Sequence, residues 1–469
     1  MAGKEELFRK LPSVDSLLKE DQAKAMAGRY GRQPTLEAVR RVLDGLRAEI
    51  LANPDAVAEE DFAKARLIAY AEESLAENFA PSLRPAINAT GILMHSGLGR
   101  AVLSEEAGRA LADVVRGYST LALEIETGRR GQRDSHVAGL LRELTGAEAA
   151  TIVNNNAAAT VLILNTLAKG RDVVISRGQL VEIGGSFRMP EVMAMSGAVL
   201  REVGTTNKTH LRDYAEAVGP NTGAILRVHH SNYRILGFAG EPGIEELVAL
   251  GNTHGLPVVD DLGSGALVDL KAYGLETEPL VRESVAAGVA CACFSGDKLI
   301  GGPQSGIIVG KAGVIQRIKK NPLARAFRCG KLTLAAMEAT LKLFLAPETL
   351  PERHPLYRML ALPVSEIDRR AKRAAKSLSK SLLPPDFALE VIDGESQVGS
   401  GSVPVETIPT RLLSLRLRGA NPEDLGKKLR RQRPAVFTRI RDGALLFDFR
   451  TIRPDEDRLV EAAILSLFR

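Results

Sequence analysis

Apolar residues recur at helical spacing along the first part of the chain. Three segments have this spacing, and Gly, Pro and Asn residues separate them. The segments are LFRKLPSVDSLLKE, TLEAVRRVLDGLRAEILA and DFAKARLIAYAEESLAENF. The pattern therefore predicts a separate helical domain over residues 1–78.

The middle of the chain alternates short apolar runs with helical spacers. The runs are typical of buried strands, and they are ATIVN, DVVIS, AVLREV, AILRVHH, LPVVDD, VACACFS and SGIIVG. Such alternation indicates a mainly parallel sheet covered by helices, with functional loops beyond the carboxyl ends of the strands. We therefore predict a large α/β domain over residues 79–335.

The pattern changes again in the last part of the chain. A basic helical run, EIDRRAKRAAKSLSKSLL, precedes three segments that resemble strands. These segments are TRLLSLRLRG, AVFTRIRDG and ALLFDFRTI. We predict a small α+β domain over residues 336–469 that closes on the large domain.

Composition is that of a soluble globular protein, with 45% hydrophobic and 25% charged residues. The first residues lack the uninterrupted apolar core of a signal peptide. No later stretch approaches the roughly 20 apolar residues that a membrane-spanning helix needs. We therefore expect a cytoplasmic protein without a membrane partner.

Charge and cysteine content narrow the possible functions further. A net charge of +5 is compatible with an anionic partner but does not identify one. The aromatic content of 4%, with no Trp, argues against stacking of nucleic-acid bases as the main means of binding. Cys291, Cys293 and Cys329 are too few and too poorly spaced for a disulfide framework or a zinc site, so we expect no metal centre.

A lysine follows one of the predicted buried strands. In VACACFSGDKLIGGPQSGIIVG, the strand ends at Ser295, and Lys298 precedes a Gly-rich turn. In a cofactor enzyme, a lysine there can bond pyridoxal 5'-phosphate as a Schiff base and move the proton of the substrate Cα. Taken alone, the segment fits a solvated surface lysine better, so this interpretation depends on the other motifs.

Two adjacent acids end another predicted strand, in LPVVDDLGSG. Burial of a carboxylate is costly unless a cation meets it, and a protonated pyridine nitrogen is such a cation. We predict that Asp260 has this role because it directly follows the Val pair, and Asp261 is the alternative. A carboxylate pair that caps a turn or a neighbouring helix is the structural alternative.

An Asn-rich turn joins a third predicted strand to an Ala-rich helix. The helix start at Asn155, Asn156 and Ala157 offers free N–H groups and a positive dipole end, which suit a phosphate group. Ser295 is a further donor for the same phosphate. Asn is also a common N-cap residue, so this motif alone is a weak signal.

The order of these three motifs resembles that of fold-type I pyridoxal-phosphate enzymes, which have an aminotransferase-like fold. The chain has no G-x-x-x-x-G-K-[ST] loop, and no G-x-G-x-x-G motif of the dinucleotide-binding kind. A narrower resemblance extends over essentially the whole chain, to the bacterial selenocysteine synthases, or L-seryl-tRNA(Sec) selenium transferases. Its motifs include LPSVDSLL, INATGILMHSGLGR, YSTLALEIETGRRGQRDSH, IVNNNAAA, VHHSNYRILGF, VVDDLGSG, FSGDKLIGGPQSGIIVG, NPLARAFRCGKLTL and the region from Arg439 to Gly443.

The resemblance implies an activity, a cofactor and partners. The expected reaction converts L-seryl-tRNA(Sec) to L-selenocysteinyl-tRNA(Sec), with pyridoxal phosphate as cofactor and selenophosphate as selenium donor. Water leaves the seryl group to give an aminoacrylyl intermediate, and selenium then adds. The resemblance also implies that the N-terminal domain binds tRNA and that the chain forms a homo-oligomer built from dimers, such as a ring of dimers.

Arginines are candidates for binding the selenium donor. Arg325 and Arg328 are three residues apart, so on a helix they project from one face, and Arg100 follows the turn HSGLG. The resemblance places these three residues near the active site, where arginine can bind a phosphate-like anion through two hydrogen bonds. A second basic cluster suits an anion or the tRNA acceptor end, or is a solvated loop; it contains Arg129, Arg130, Arg133 and His136.

Residues at the end of another strand are further candidates for contact with the cofactor, and two alternative functions compete with selenium transfer. His229 and His230 end a predicted strand, and Asn232 lies where related folds contact the phenolic oxygen of the cofactor. One alternative function is a fold-type I lyase that acts on a small amino acid or amino sugar without tRNA, but the N-terminal helical domain disfavours it. Another is a non-enzymatic RNA-binding protein, which the presence of Lys298, Asp260 and the Asn-rich turn disfavours.

Overall fold

The structure is a computed structural model that describes residues 2–184, 187–275, 278–381 and 387–468. The chain divides into two compact units, Met1–Pro85 and Ala86–Arg469. The three domain boundaries given above remain predictions.

The first unit is a bundle of α-helices, as predicted. Its helices are α1 (Ala2–Lys10), α2 (Val14–Leu18), α3 (Asp21–Tyr30), α4 (Arg32–Ala52) and α5 (Lys64–Phe79). The Ser13 side chain caps α2 by accepting a hydrogen bond from the backbone of Ser16. Gly31 separates α3 from α4 with a φ of 95°, which L side chains rarely adopt. The apolar faces of α4 and α5 pack together around Leu43 and Ile68.

The second unit contains strands and further helices. The strands are β1 (Ala86–Ala89), β2 (Ala149–Val153), β3 (Asp172–Ser176), β4 (Glu182–Ile183), β5 (Phe187–Arg188), β6 (Val199–Val203), β7 (Thr222–Val228), β8 (Val258–Gly263), β9 (Cys291–Ser295), β10 (Gly306–Gly310), β11 (Phe387–Gly399), β12 (Ser402–Leu417), β13 (Ala435–Arg441) and β14 (Ala444–Asp448). The helices are α6 (Glu105–Val115), α7 (Ser135–Thr145), α8 (Asn156–Ala168), α9 (Met189–Ser196), α10 (Leu211–Ala217), α11 (Ile244–His254), α12 (Val281–Ala286), α13 (Ala312–Lys320), α14 (Pro322–Ala326), α15 (Lys331–Leu343), α16 (Leu350–Arg353), α17 (Pro355–Ala361), α18 (Val364–Leu378), α19 (Pro422–Arg430) and α20 (Asp457–Ser466).

A large sheet forms the centre of this unit, with the strand order β2-β10-β9-β8-β7-β3-β6 among the described residues. Neighbouring strands from β9 to β6 run parallel, whereas β10 runs antiparallel to both β9 and β2. Every residue of β9 and β10 is buried, because helices cover both faces of the sheet. The mainly parallel sheet predicted from the sequence is therefore confirmed.

A small sheet has the order β1-β13-β14-β12-β11 in the described part of the chain. β1 pairs in parallel with β13, and the other neighbours are antiparallel. The sequence predicted β12, β13 and β14 but neither β1 nor β11. β1 has only four residues, and β11 has only two buried residues and carries three acids, so neither has a strong apolar pattern.

The hairpin of β11 and β12 extends from the small sheet to the loops of the large sheet. Backbone hydrogen bonds join Leu93 to Gln397 and Met94 to Val398, each at 2.9 Å. The Ser402 hydroxyl donates to the Ser264 hydroxyl at 3.0 Å. The turn of this hairpin therefore lies beside the loop that follows β8.

The described residues contain neither a membrane-spanning helix nor a metal-binding cluster. None of the helices combines the length and the apolar character needed to cross a membrane. No group of three or more His, Cys, Asp or Glu side chains there is arranged to hold a metal ion.

Candidate active site

A cavity of about 320 Å³ lies at the carboxyl ends of β7, β8 and β9, beside the start of α8. Residues from separate predicted motifs line it. They are Arg100, Asn155, Asn156, Ala157, Ser295 and Lys298. The parallel sheet brings these motifs together because the carboxyl ends of its strands share one edge.

Lys298 lies in the turn after β9 and is only 5% exposed. Two buried side chains hold the backbone just beyond it: His354 contacts the carbonyl of Ile300 at 2.9 Å, and the Tyr357 hydroxyl donates to the carbonyl of Leu299 at 3.0 Å. Burial, and then the charge of Arg100, lowers the pKa of Lys298. A lowered pKa favours the neutral amine, which is the nucleophilic form.

Asp261, rather than Asp260, lines the cavity. Its carboxylate accepts hydrogen bonds from the Asn156 amide and the Thr160 hydroxyl, both at 2.8 Å, and from the backbone N–H of Gly263 at 3.1 Å. Burial raises the pKa of Asp261, and these hydrogen bonds oppose the rise. The site therefore contains a fixed, buried carboxyl group that a cation in the cavity would stabilise.

Asp260 points to the other side of the sheet, because side chains alternate along a strand. There the Ser284 hydroxyl donates to it at 2.6 Å, and Arg227 approaches it at 3.4 Å. Asp260 does not line the cavity, so the geometry favours Asp261, the alternative, for the role that the sequence analysis assigned to Asp260. The position of Asp260 directly after the Val pair does not predict which of the two successive acids faces the cavity.

The start of α8 contributes backbone donors to the cavity. The Asn155 side chain caps the helix by accepting a hydrogen bond from the N–H of Ala158 at 2.8 Å. The N–H groups of Asn156 and Ala157 are in the first turn and have no acceptor within the helix. Gly306 of β10 allows this close packing, since a Cβ there would lie 2.1 Å from the carbonyl oxygen of Asn155.

Three buried polar atoms at the cavity have no hydrogen-bond partner in the described structure: Asn156 Oδ1, His229 Nδ1 and Ser231 Oγ. Unpaired buried polar atoms that line one cavity fit a bound polar ligand. Burial lowers the pKa of His229 to about 4, so its ring is neutral near neutral pH. These residues, with Lys298 and Asp261, fit a flat ring that carries polar substituents.

The structure differs from the sequence prediction at Asn232 and adds other residues. The Asn232 amide donates to the carbonyl of Glu182 at 2.8 Å, and Asn232 does not line the cavity. His229 and Ser231, just before it, line the cavity instead. Other lining residues were missed because their segments resemble ordinary loops; they are Val181, Ile183, Gly184, Phe187, Met189 and Gln304.

The three predicted anion-binding arginines occupy two cavities. Arg100 lines the Lys298 cavity, has a φ of 63° and pairs with Asp297 at 2.9 Å. Arg325 and Arg328 line a second cavity of about 720 Å³. Within one chain the predicted convergence of the three arginines is therefore not found.

The second cavity is strongly basic. Arg130 and Arg133, from the other basic cluster in the sequence, also line it. Within the described ranges, neither they nor Arg325 and Arg328 form an ion pair with a carboxylate. Arg133, then Arg325, lowers the pKa of Arg328 by repulsion. This cavity therefore suits an anion.

The fold resembles that of the solved structure of D-glucosaminate-6-phosphate ammonia-lyase. The TM-score is 0.56 at 18% identity, and the likeness covers 84% of this chain and 97% of that chain. The parallel sheet, the lysine after β9, the buried carboxylate on β8 and the helix that follows β2 define the class. The chain has the fold of the fold-type I pyridoxal phosphate-dependent enzymes.

The family follows from the sequence comparisons. Residues 86–453 match the family described as L-seryl-tRNA selenium transferase, and residues 8–47 match the one described as selenocysteine synthase N terminal. A protein of Geobacter sulfurreducens named L-seryl-tRNA(Sec) selenium transferase is 45% identical, over 98% of this chain and 99% of its own. One of the same name from Solidesulfovibrio magneticus is 48% identical, over 98% and 97%. The chain belongs to the L-seryl-tRNA selenium transferase family.

Proposed function

We propose that the chain converts L-seryl-tRNA(Sec) to L-selenocysteinyl-tRNA(Sec), with pyridoxal 5'-phosphate as cofactor and selenophosphate as selenium donor. Relatives with this transferase name align with nearly the whole chain. The observation that carries the proposal is the meeting of Lys298, Asp261 and the start of α8 at one cavity. An aminoacyl-tRNA substrate also favours a cytoplasmic enzyme.

The cavity residues have distinct roles toward the cofactor. Lys298 would bond it through its amine, Asp261 would meet the ring nitrogen, and Ser295 with the first N–H groups of α8 would hold the phosphate. His229 and Ser231 would complete the polar lining. When bound there, the cofactor draws electrons away from the Cα of the seryl group.

Lys298 is the group that can move protons in this arrangement. Its lowered pKa leaves a share of the amine neutral, and a neutral amine can accept the proton from the seryl Cα. Asp261 is held by its hydrogen bonds and would keep a positive charge on the ring nitrogen of the bound cofactor. Lys298 would therefore transfer protons, whereas Asp261 would keep its charge throughout the reaction.

Selenophosphate would bind the arginines named above. Because Arg100 and the pair Arg325 and Arg328 line different cavities of one chain, we propose that two copies of the chain form each site. One copy contributes Arg100, and another contributes Arg325 and Arg328. The guanidinium group suits a phosphate-like anion because it remains charged and forms paired hydrogen bonds.

Arg325→Ala or Arg328→Ala should impair selenium delivery more than the earlier steps. Loss of one charge-assisted contact costs about 1.5 to 3 kcal/mol, or roughly a tenfold to hundredfold higher selenophosphate requirement. Binding of pyridoxal phosphate and loss of water from the seryl group should persist. The measurement is transfer rate against selenophosphate concentration.

The control for the arginine variants is Arg317→Ala. Arg317 is on α13, close in sequence, but it does not line the second cavity. Its variant should retain the wild-type concentration dependence. If Arg325→Ala and Arg328→Ala lose cofactor or fail to remove water, with an unchanged selenophosphate dependence, their assignment to the selenium donor is wrong.

We propose that the helical segment over residues 1–78 binds the tRNA. Its support is an exposed set of basic side chains without ion pairs in the described ranges: Arg29, Arg32, Arg40 and Arg41. Such a surface fits contacts to phosphates rather than reading of bases. A solvated helical face is the simpler explanation of the same charges.

A chain that starts at Pro81 should bind pyridoxal phosphate but lose most of its affinity for tRNA(Sec). Replacement of the four exposed arginines with Ala in the full chain should weaken the same binding, and Lys24→Ala, which removes a surface ion pair with Asp21, is the control. Binding is measured at one fixed salt concentration, because phosphate contacts are steeply salt dependent. Equal tRNA affinity of truncated and full-length protein would refute the assignment.

The direct test of the proposed function is incubation of the full chain with seryl-tRNA(Sec) and radiolabelled selenophosphate. The expected product is labelled selenocysteine esterified to the tRNA. Unchanged seryl-tRNA, together with release of ammonia from a free amino acid or amino sugar, would instead identify the lyase alternative.

A further inference from the structure

Glu278 has a buried carboxyl group to which the mechanism above gives no task. It lies shortly before α12, and both Oε1 and Oε2 are buried without a hydrogen bond of ordinary geometry in the described structure. The Ser264 hydroxyl and the Val403 backbone lie close enough to lower its pKa. A buried carboxylate that lacks a full set of partners is costly, so its position requires an explanation.

The residues around Glu278 adjoin the lining of the Lys298 cavity, which includes Gly263. Ser264 follows Gly263, at which a Cβ would lie 4.0 Å from the Nζ of Lys298. Ser264 is also bonded to Ser402 at the turn of the β11–β12 hairpin, next to Val403. The segment that contains Glu278 lies beside the loop after β8, where the N–H of Val281 donates to the carbonyl of Ala266 at 3.0 Å. Ser264, from that loop, and Val403, at the start of β12, neighbour the Glu278 carboxyl.

Burial lowers the pKa of Lys298, and three carboxyl groups oppose this effect: Asp261, Glu278 and Asp297. Two of these carboxyl groups already have hydrogen-bond or ion-pair partners. Asp261 accepts three hydrogen bonds and faces the proposed ring nitrogen, and Asp297 pairs with Arg100 at 2.9 Å. Among the described residues, Glu278 has neither an ion pair nor a hydrogen bond of ordinary geometry, so its carboxylate can respond to the charge on Lys298.

We propose that Glu278 is a positioning residue for proton transfer, whose ionised carboxylate stabilises the Lys298 amine when that amine holds the proton taken from the substrate. The inference rests on the proposed function of Lys298. The proton moves from the substrate Cα to the Nζ of Lys298 and leaves with the seryl hydroxyl group as water. Lys298 then takes up a proton from solvent and delivers it to Cα once selenium has added, while Glu278 remains ionised. Glu278 acts through Lys298 and needs no contact with the substrate.

The effect of Glu278 depends on pH in a defined direction. Burial raises the pKa of Glu278 to about 7, and the nearby charge of Glu406 raises it, whereas Ser264, Lys298 and Val403 lower it. Below that pH the carboxyl is neutral and gives Lys298 no support. Above it the carboxylate favours protonated Lys298, against the opposing charge of Arg100.

Glu278→Gln tests this role, because the amide has nearly the same shape but cannot ionise. In the full-length protein loaded with pyridoxal phosphate, the near-visible absorbance of the cofactor is titrated between about pH 6 and pH 9. The midpoint should fall by roughly one pH unit, since a nearby negative charge is lost. The pH profile of selenium transfer should shift in the same direction.

Glu283→Gln is the matched control. Glu283 lies in the same segment, and its carboxylate accepts a hydrogen bond from the N–H of Leu280 at 3.0 Å. This variant should titrate like the wild type, because Glu283 makes a structural contact and is not among the charges that act on Lys298. If Glu278→Gln fails to fold, Glu278→Asp, which retains an ionisable group at a changed distance, should still have a shifted midpoint.

The outcomes separate the inference from the proposed function. A wild-type midpoint in Glu278→Gln, or in Glu278→Asp when only that variant folds, overturns the role of Glu278 while the function of Lys298 stands. Wild-type protein that binds pyridoxal phosphate without any absorbance from a lysine-bonded cofactor overturns the proposed function itself.

Discussion

Lys298→Ala should abolish covalent attachment of pyridoxal phosphate and reduce selenium transfer about a thousandfold or more, as expected for loss of a reacting group. Lys298 is buried at the cavity, and burial lowers the pKa of its amine. Borohydride reduction of the wild type, followed by peptide mapping, should identify one labelled peptide that contains Lys298. The same treatment of the variant should label none.

Two other lysines serve as controls for this assignment. Lys311 precedes α13, and Lys331 begins α15, where its amine donates to the carbonyl of Val114 at 2.6 Å. Neither lines the Lys298 cavity. Lys311→Ala and Lys331→Ala should label normally, and label on either lysine in the wild type would contradict the proposed site.

The strands of the large sheet could be predicted because they are buried on both faces. A strand such as β9 must then be continuously apolar, and its end is marked by the first polar residues. Lys298 and Asn155 follow such ends, and the parallel arrangement brings them to one edge. The positions of these residues therefore followed from the apolar pattern together with one topological rule.

The choice between the two acids on β8 could not be predicted in the same way. On a strand buried on both faces, the alternation of side chains leaves no polar side to identify which residue faces the cavity. The register of the pairing between β8 and β9 also shifts between Asp261 and Gly263. No pattern in the sequence predicts this shift. The direction of the Asp261 side chain is therefore a property of the assembled sheet.

The sequence could not predict the burial of Glu278, nor that Arg100 lies in a different cavity from Arg325 and Arg328. Glu278 is enclosed by the hairpin turn at Ser402 and Val403, which are distant from it in the sequence. Arg100 and Arg325 would share a site only through a second copy of the chain. The spacing of residues along one chain predicts neither burial by residues that are distant in sequence nor a site that two copies of the chain form together.

Asp261→Asn should lower the rate of selenium transfer by about a hundredfold to several thousandfold. Removal of one partner from a buried charge pair costs about 3 to 5 kcal/mol, and the proposed partner here is the ring nitrogen of the cofactor. The amide preserves the size of the side chain, so pyridoxal phosphate should still bind. The measurement is the single-turnover rate with seryl-tRNA(Sec), together with the absorbance of the bound cofactor.

Asp260→Asn is the matched comparison, since it makes the same change one residue earlier on the same strand. Asp260 contacts Ser284 and Arg227 away from the cavity, so its loss should lower the free energy of unfolding and leave a folded enzyme with near wild-type turnover. Thermal unfolding and turnover, measured on both variants, separate the two effects. Loss of turnover in Asp260→Asn, with turnover retained in Asp261→Asn, would mean that Asp260 contacts the ring nitrogen. The assignment of Asp261 to the cofactor would then be wrong.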